Sequence, residues 1–352
     1  MPAPRAIADP PAASWTAALK RTAGEVKRDN LTAWAAALTY YSVLSIFPAL
    51  LVVVSLVGLA GQSTTDDLIA NIGDLAPGAV RDLLVSSVRQ LQGGAGGAGV
   101  VAAIGLLAAV WSASGYVGAF MTASNVVYDI PEGRPIWKTV PIRIGVTLVT
   151  LVLLSASVIA VVVTGPLARK VGDVIGAGSQ AVTVWNIAKW PVLLVVVAFL
   201  FMLLYWASPN ARRGLRGLVP GGLLAIGLWL AASGLFAVYV ANFSSYNKTY
   251  GSLAAIIIFL VWLWITNLAI LLGSELNSEL ERGRAIAAGT PPDEEPYVEF
   301  RDTRAFDDQQ RREAGLEDED GDRRGDGDAG GAGPSAASGP GATRGHLPGG
   351  RS

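Results

Sequence analysis

The chain has no cysteine, a single histidine and only three methionines among its 352 residues. Without thiols there is no disulfide framework, thiolate zinc site, iron–sulfur cluster or cysteine nucleophile. The one histidine, His346, sits in a Gly/Pro-rich terminus. A Ser-His-Asp relay, a histidine metal triad or imidazole acid/base chemistry therefore cannot be built in the body of the chain. Charge is scarce as well: 16 % of residues are charged, against roughly 25 % in ordinary soluble chains. With a mean hydropathy of +0.44, water is not this chain's only solvent. The expectation is a non-enzyme with no cofactor and no metal.

The near-zero net charge of −1 hides an asymmetry. Residues 1–285 carry 19 Lys/Arg and 13 Asp/Glu, a surplus of +6, whereas residues 286–352 carry 8 and 15, a deficit of −7. The body is basic and the tail acidic.

Six stretches of at least twenty residues lack Asp, Glu, Lys and Arg: 31–65, 90–128, 144–168, 190–211, 217–247 and 249–274. Hydrocarbon offers backbone groups no hydrogen-bond partner, so a span of about 20 apolar residues must pair them internally as a helix. The expected spans are Ala37–Ala60, Val100–Asn125, Ile144–Val163, Trp190–Ser208, Leu218–Val240 and Leu253–Gly273. The fold class is thus all-α, a polytopic membrane protein with six transmembrane helices.

Basic residues between the spans give an independent test, because positive loops are retained on the cytoplasmic side. The N-terminal segment holds five (Arg5, Lys20, Arg21, Lys27, Arg28), the first loop two (Arg81, Arg89), the second three (Arg134, Lys138, Arg143) and the fourth three (Arg212, Arg213, Arg216). The third loop has Arg169 and Lys170, with Lys189 at the start of the fourth span, and the fifth has only Lys248. The alternation puts both termini in the cytoplasm, with the third loop its weakest point. Residues 1–30 contain no apolar h-region, so an uncleaved first span is expected.

Outside the spans, three segments are expected. In residues 1–30, Trp15, Leu19, Thr22 and Val26 recur at helical spacing among Lys20, Arg21, Lys27 and Arg28. That pattern suits a helix on an anionic leaflet, a solvated arm being the simpler alternative. The extracytoplasmic loop 62–98 carries two short helical patterns, around Leu68–Ile72 and Val80–Leu91, expected to pack over the bundle mouth. From residue 286, and clearly from Pro291, the acidic tail is expected to be disordered, since its apolar content cannot offset chain entropy.

Several motifs are weighed against plainer readings. Gly94-x-Gly96-x-x-Gly99 has the letters of a dinucleotide loop but no preceding strand, and reads as a flexible entry to the second span. In the first span, Tyr41, Ser45 and Pro48 fall at i, i+4 and i+7 beside Tyr40, a face that either glues helices together or lines a substrate seam. The second span has a small and polar stripe, Ser114, Gly115, Gly118, Thr122 and Asn125, and the fifth adds Gly227, Ala231 and Gly234, read as close-packing positions. Asn125 needs a partner if buried. In the sixth span, Asn267 and Ser274 share a face, and Glu275 at the boundary is expected to pair with an arginine from Arg212–Arg216. The span cores hold no carboxylate, which disfavours a charged relay at the midplane.

These segments together resemble the YihY / virulence factor BrkB family of bacterial inner-membrane proteins, over about residues 15–285. The likeness rests on Leu38-Thr39-Tyr40-Tyr41 with Phe47-Pro48, on Asn125 to Tyr128 followed by Glu132 and Arg134, and on Tyr250-Gly251-Ser252 with Leu272-Gly273-Ser274-Glu275-Leu276-Asn277. The resemblance implies a six-helix inner-membrane protein with both termini inside, and a family without a settled substrate. An older family label, ribonuclease BN, does not suit these residues, which offer neither a nucleophile-activating histidine nor a clustered-carboxylate metal site in the bundle. The expected function is transport of a lipid or small solute along Tyr41, Ser45, Pro48, Asn125 and Asn267, with Tyr40, Tyr250, Gly251 and Glu275 as further pathway or packing positions. A non-transporting envelope scaffold is the alternative and a nuclease a distant third. Membrane lipids are the expected partners, nucleic acid is not, and a homo-oligomer stays open.

Overall fold

The structure, a computed structural model, describes residues 12–58, 98–162, 179–242, 252–293 and 295–316. The described residues fall into two compact units divided after Ala305. In the first unit, α1 (Ala12–Arg28) leads through a turn into α2 (Leu31–Gly58), followed by α3 (Ala98–Val127), α4 (Ile136–Val162), α5 (Ser179–Ala207), a 3-10 turn at Leu215–Leu218, α6 (Val219–Asn242) and α7 (Ser252–Ala287). Among the described residues there is no strand, only one isolated bridge between Ala211 and Phe300. The described elements are all helices. The expected helices of loop 62–98, the Gly94–Gly99 run apart from its last residues, Tyr250, Gly251 and the acidic stretch after residue 316 lie outside the described residues.

The helices from α2 to α7 close a ring in chain order: α2 packs on α3, α3 on α4, α4 on α5, α5 on α6, α6 on α7, and α7 back on α2. Cross-contacts of α3 with α5 and α7, and of α2 with α4, fill the middle. The core there consists of Ala35, Leu38, Val117, Phe120, Phe201, Leu204, Tyr205, Ala225, Ile270 and Leu271. Tyr116, Phe120 and Tyr205 stack in a row through it, and the Tyr205 hydroxyl donates to the Ile270 carbonyl at 2.6 Å.

Outside the core, the ring is apolar where a soluble bundle would be polar. Val152, Leu154, Val158, Val184, Val195, Leu235, Ile256 and Ile257 are all exposed, the arrangement expected when lipid is the surrounding solvent. Among the described residues, four helical segments are long and apolar enough to cross a membrane: Ile136–Val161, Val182–Ala207, Leu215–Tyr239 and Ile256–Ala287, with Leu31–Ile46 a shorter apolar stretch. The chain is a multi-pass membrane protein.

The helices outrun the charge-free stretches used to predict them. α4 begins at Ile136 rather than Ile144, α5 at Ser179 rather than Trp190, and α7 continues past Gly273 to Ala287. A charge ends a span only if nothing satisfies it. Arg143 lies over the Trp111 ring at 4.8 Å, and Lys189, buried ten residues into α5, lies over Trp190 at 5.5 Å. Lys189 therefore belongs to a helix and not to the third loop.

Helix–helix contact also uses different glycines from those expected. A Cβ at Gly227 or Gly234 would meet nothing within 4 Å. Gly221 and Gly273 are the contact: a Cβ on either would overlap the other's carbonyl oxygen, so α6 and α7 cross backbone to backbone there. Asn277 seals the crossing, accepting from Gly221 N at 2.7 Å and donating to Leu218 O at 3.1 Å. In α3 the expected stripe does approach its neighbours, since a Cβ on Gly115 would come within 2.9 Å of the Tyr41 ring.

α1 forms with Ala18 and Thr22 buried, Ala18 packed on Leu276 and Leu280 of α7, and Trp15 and Leu19 exposed. One terminal expectation needs correction. The tail is ordered well beyond Pro291. Residues 295–305 return to the bundle end, where Arg212 N donates to Glu299 O at 2.8 Å and Arg301 N to Asn210 O at 2.7 Å. Composition misjudged this segment because polar anchors, not apolar burial alone, hold it. In the second unit, α8 (Asp308–Glu313) is a short helix with a capping box: Gln310 N donates to the Asp307 carboxylate at 2.8 Å, and Asp307 N to the Gln310 side chain at 3.1 Å.

Candidate functional site

Within the bundle, one polar cluster is enclosed by apolar helices. Asn267 of α7 is buried between α2 and α3. Its Oδ1 accepts from the Tyr116 hydroxyl at 3.0 Å, and its Nδ2 lies 3.3 Å from Thr39 Oγ1 and 3.4 Å from Ser42 Oγ, to which it donates. The α2 hydroxyls can accept because their own protons are already placed: Thr39 donates to Ala35 O at 2.7 Å and Ser42 to Leu38 O at 2.8 Å. Every polar atom of the amide is thereby satisfied.

Thr39 has a second neighbour. Together with Ala36, Tyr40, Val43, Ile257, Leu260, Val261 and Trp264 it lines a groove of about 510 Å³ on the outside of the ring, between α2 and α7. Tyr40 on its rim is 61 % exposed. The groove is mostly apolar; its polar groups are the Thr39 hydroxyl, whose far side faces Asn267, the Tyr40 phenol on the rim, and the Trp264 indole N–H, which donates to Thr32 O at 3.1 Å.

Tyr41 and Ser45, the face singled out from spacing, point instead at α3. The Tyr41 ring abuts Gly115, and Ser45 Oγ donates to Tyr41 O at 2.8 Å and approaches Ala113 O at 3.4 Å. They pack helices together. Pro48 lies within α2, with its side chain outside the described ones. Thr39, Ser42 and Tyr116 were missed; the i, i+3 spacing of Thr39 and Ser42 was the available signal.

Asn125 lies elsewhere. It is nine residues from Tyr116 along α3, roughly 13 Å away, and belongs to a second network at the helix ends. Its Nδ2 donates to Glu132 at 3.0 Å and its Oδ1 accepts from Asn210 N at 2.8 Å. Glu132 binds the buried Arg134 through both oxygens at 2.7 Å, and Arg134 in turn donates to the Ala207 carbonyl at 3.0 Å and the Ser208 carbonyl at 2.5 Å. A buried guanidinium thus caps the negative end of α5. Asn210 continues the network to the tail, exchanging bonds with Asp302 N at 3.0 Å and Asp302 O at 2.8 Å. Asp302 is held by Lys138 at 2.7 Å and Arg304 at 2.8 Å. Hydrogen bonds from Arg304 and then Lys138 keep its carboxyl well below the usual range.

Glu275 does not meet Arg212–Arg216. Turning 100° per residue, α7 directs Glu275 toward the α1–α2 turn, and Glu281, six residues later, toward Gly217. Arg213 instead donates to Tyr205 O and to the Tyr128 hydroxyl, with its guanidinium 4.0 Å over the Tyr128 ring.

A family model described as "Virulence factor BrkB" matches residues 22–297 of this chain. The chain belongs to the BrkB family. The match takes in the ring helices, the Asn125–Asn210 network and the first residues of the returning tail. Among similar proteins, a Bacillus subtilis protein named as ribonuclease-like, YfkH, is 31 % identical over 74 % of this chain and 92 % of its own. A UPF0761 membrane protein of Alkalilimnicola ehrlichii is 32 % identical over 76 % of this chain, and one of Halorhodospira halophila 28 % over 72 %, the match spanning 59 % and 55 % of those longer relatives. No solved structure matches this BrkB-family chain.

Proposed function

We propose that this BrkB-family protein moves a membrane amphiphile, with its polar group entering from the α2–α7 groove toward Asn267. The supporting observation is Thr39, which belongs at once to an apolar groove on the outer surface of the ring and to the buried Asn267 cluster. An acyl chain lies in the groove without desolvation cost, while its polar end finds hydroxyls and an amide that already exchange bonds with one another. The reading includes six membrane crossings, by α2 to α7, with both termini in the cytoplasm, supported by the closed ring and by the basic loops. It includes no enzyme activity: the ribonuclease-like name belongs to the Bacillus relative, and this sequence has one histidine, His346, and no cysteine.

The test is movement of headgroup-labelled phospholipid between leaflets of vesicles containing the purified full chain. The expected result is movement faster than in protein-free vesicles, slowed about tenfold by Asn267→Leu or Thr39→Val, the kinetic equivalent of one lost hydrogen bond. Movement no faster than in protein-free vesicles contradicts the proposal.

A further inference from the structure

At the end of the bundle where α1 docks, acids outnumber bases. Glu25 of α1, Asp29 of the α1–α2 turn, and Glu275 and Glu279 of α7 meet Arg21 and Arg28 of α1 and Arg282 of α7, with Asp129 and Glu295 at the rim. The guanidinium groups are committed to the outer acids. Arg21 binds Glu279 through the carboxylate and, at 3.2 Å, through the carbonyl. Arg282 lies 3.6 Å from Glu279 and 3.8 Å from Glu25, and Arg28 is 3.0 Å from Glu25, 3.4 Å from Asp129 and 3.6 Å from Glu295.

The inner two acids have each other. Asp29 of the α1–α2 turn and Glu275 of α7 lie within hydrogen-bonding reach of each other. They are 8 % and 1 % exposed, and Glu275 Oε2 is buried without a partner. Ionised carboxylates only accept hydrogen bonds, so a bond between two of them requires a proton. Among the described residues, no group of three His, Asp or Glu is placed to hold a metal ion in its stead.

We propose that Asp29 and Glu275 are a proton-binding site: one proton, shared between the two carboxyls, fastens the α1–α2 turn to α7. Losing it leaves two adjacent buried charges that repel, and the turn releases. Burial, followed by the charge of Glu25, raises Asp29 above its ordinary range, which agrees with a proton retained there. Asn267 lies on the same helix eight residues before Glu275, roughly 12 Å away. The proton site does not rest on the transport reading, and its test does not use transport.

The experiment is an infrared titration of the full chain in lipid nanodiscs, following the carbonyl stretch of protonated carboxylic acid from acid to alkaline pH. The expected result is a protonated-carboxyl band at neutral pH that is lost in Glu275→Gln and also in Asp29→Asn, whose amides donate the bond the proton otherwise makes. A second measurement guards against a variant that misfolds. In the unmodified chain the native state keeps a proton that the unfolded state releases near pH 4, so stability must fall as pH rises through that window. The unfolding constant should rise about tenfold per pH unit up to the pair's own titration, the slope for one proton. An absent band at neutral pH, a band unchanged by Glu275→Gln, a band abolished by sodium at constant pH, or pH-independent unfolding overturns the proposal.

Discussion

The residues that matter most here are polar ones whose bonds are all made inside an apolar bundle. Asn267 is the clearest case. Replacing it with leucine leaves the partly buried Tyr116 hydroxyl without its acceptor, and we expect a loss of about 1–3 kcal/mol in detergent unfolding, the cost of an orphaned donor. Tyr116→Phe alone removes donor and bond together and should cost less. Equal losses for the two variants would mean that the hydrogen bond is not what holds the site. Asn267 was legible in the sequence as a polar residue on a long apolar run, but its partners were not: spacing shows which side chains share a face, not which helix that face meets. For the same reason Asn125, grouped with Asn267 by residue type, belongs to a separate network, and Glu275 meets a carboxyl where an arginine was expected.

At the scale of elements, charge-free runs located the helices, and the errors fell where a charge finds a partner inside the fold. Arg143 and Lys189 extend α4 and α5 because indole rings receive them. Glycine content was a poorer guide. Only a glycine at a backbone crossing is required, so Gly221→Ala and Gly273→Ala should each cost about 1–3 kcal/mol from overpacking. Gly227→Ala and Gly234→Ala should be neutral or stabilising by up to ~1 kcal/mol through helix propensity. Thermal unfolding of the four variants checks the contrast, and a uniform response would contradict the crossing.

The returning tail is the element that composition hid, and its anchor has a pH signature. Asp302 is depressed below its unfolded value, so it contributes stability above the ordinary carboxylate range and loses it as pH falls. Hydrogen-exchange protection in residues 299–305, relative to the intrinsic rate at each pH, should therefore fall on acidification below about pH 4. Asp302→Asn should show the lower protection already at pH 7, and a variant protected like the unmodified chain would remove the ion pairs from the account.

At the scale of the whole molecule, the apolar exterior, the ring closed in chain order and the buried polar cluster describe one device: helices that face lipid outward and share polar bonds inward. Its membrane class could be inferred from the missing charges alone. The closure of the ring, through contact of α7 with α2, could not, because it joins residues more than two hundred positions apart. The proposed six crossings by α2 to α7 carry the account, and a chain without native cysteine tests them directly. Single variants Asp82→Cys, Arg169→Cys, Arg212→Cys and Asp308→Cys would be exposed in intact cells to a membrane-impermeant maleimide. The account predicts labelling of Asp82→Cys and Arg169→Cys from outside, with Arg212→Cys and Asp308→Cys labelled only after permeabilisation; Arg212→Cys reacting from outside, or Asp82→Cys only from inside, would contradict it.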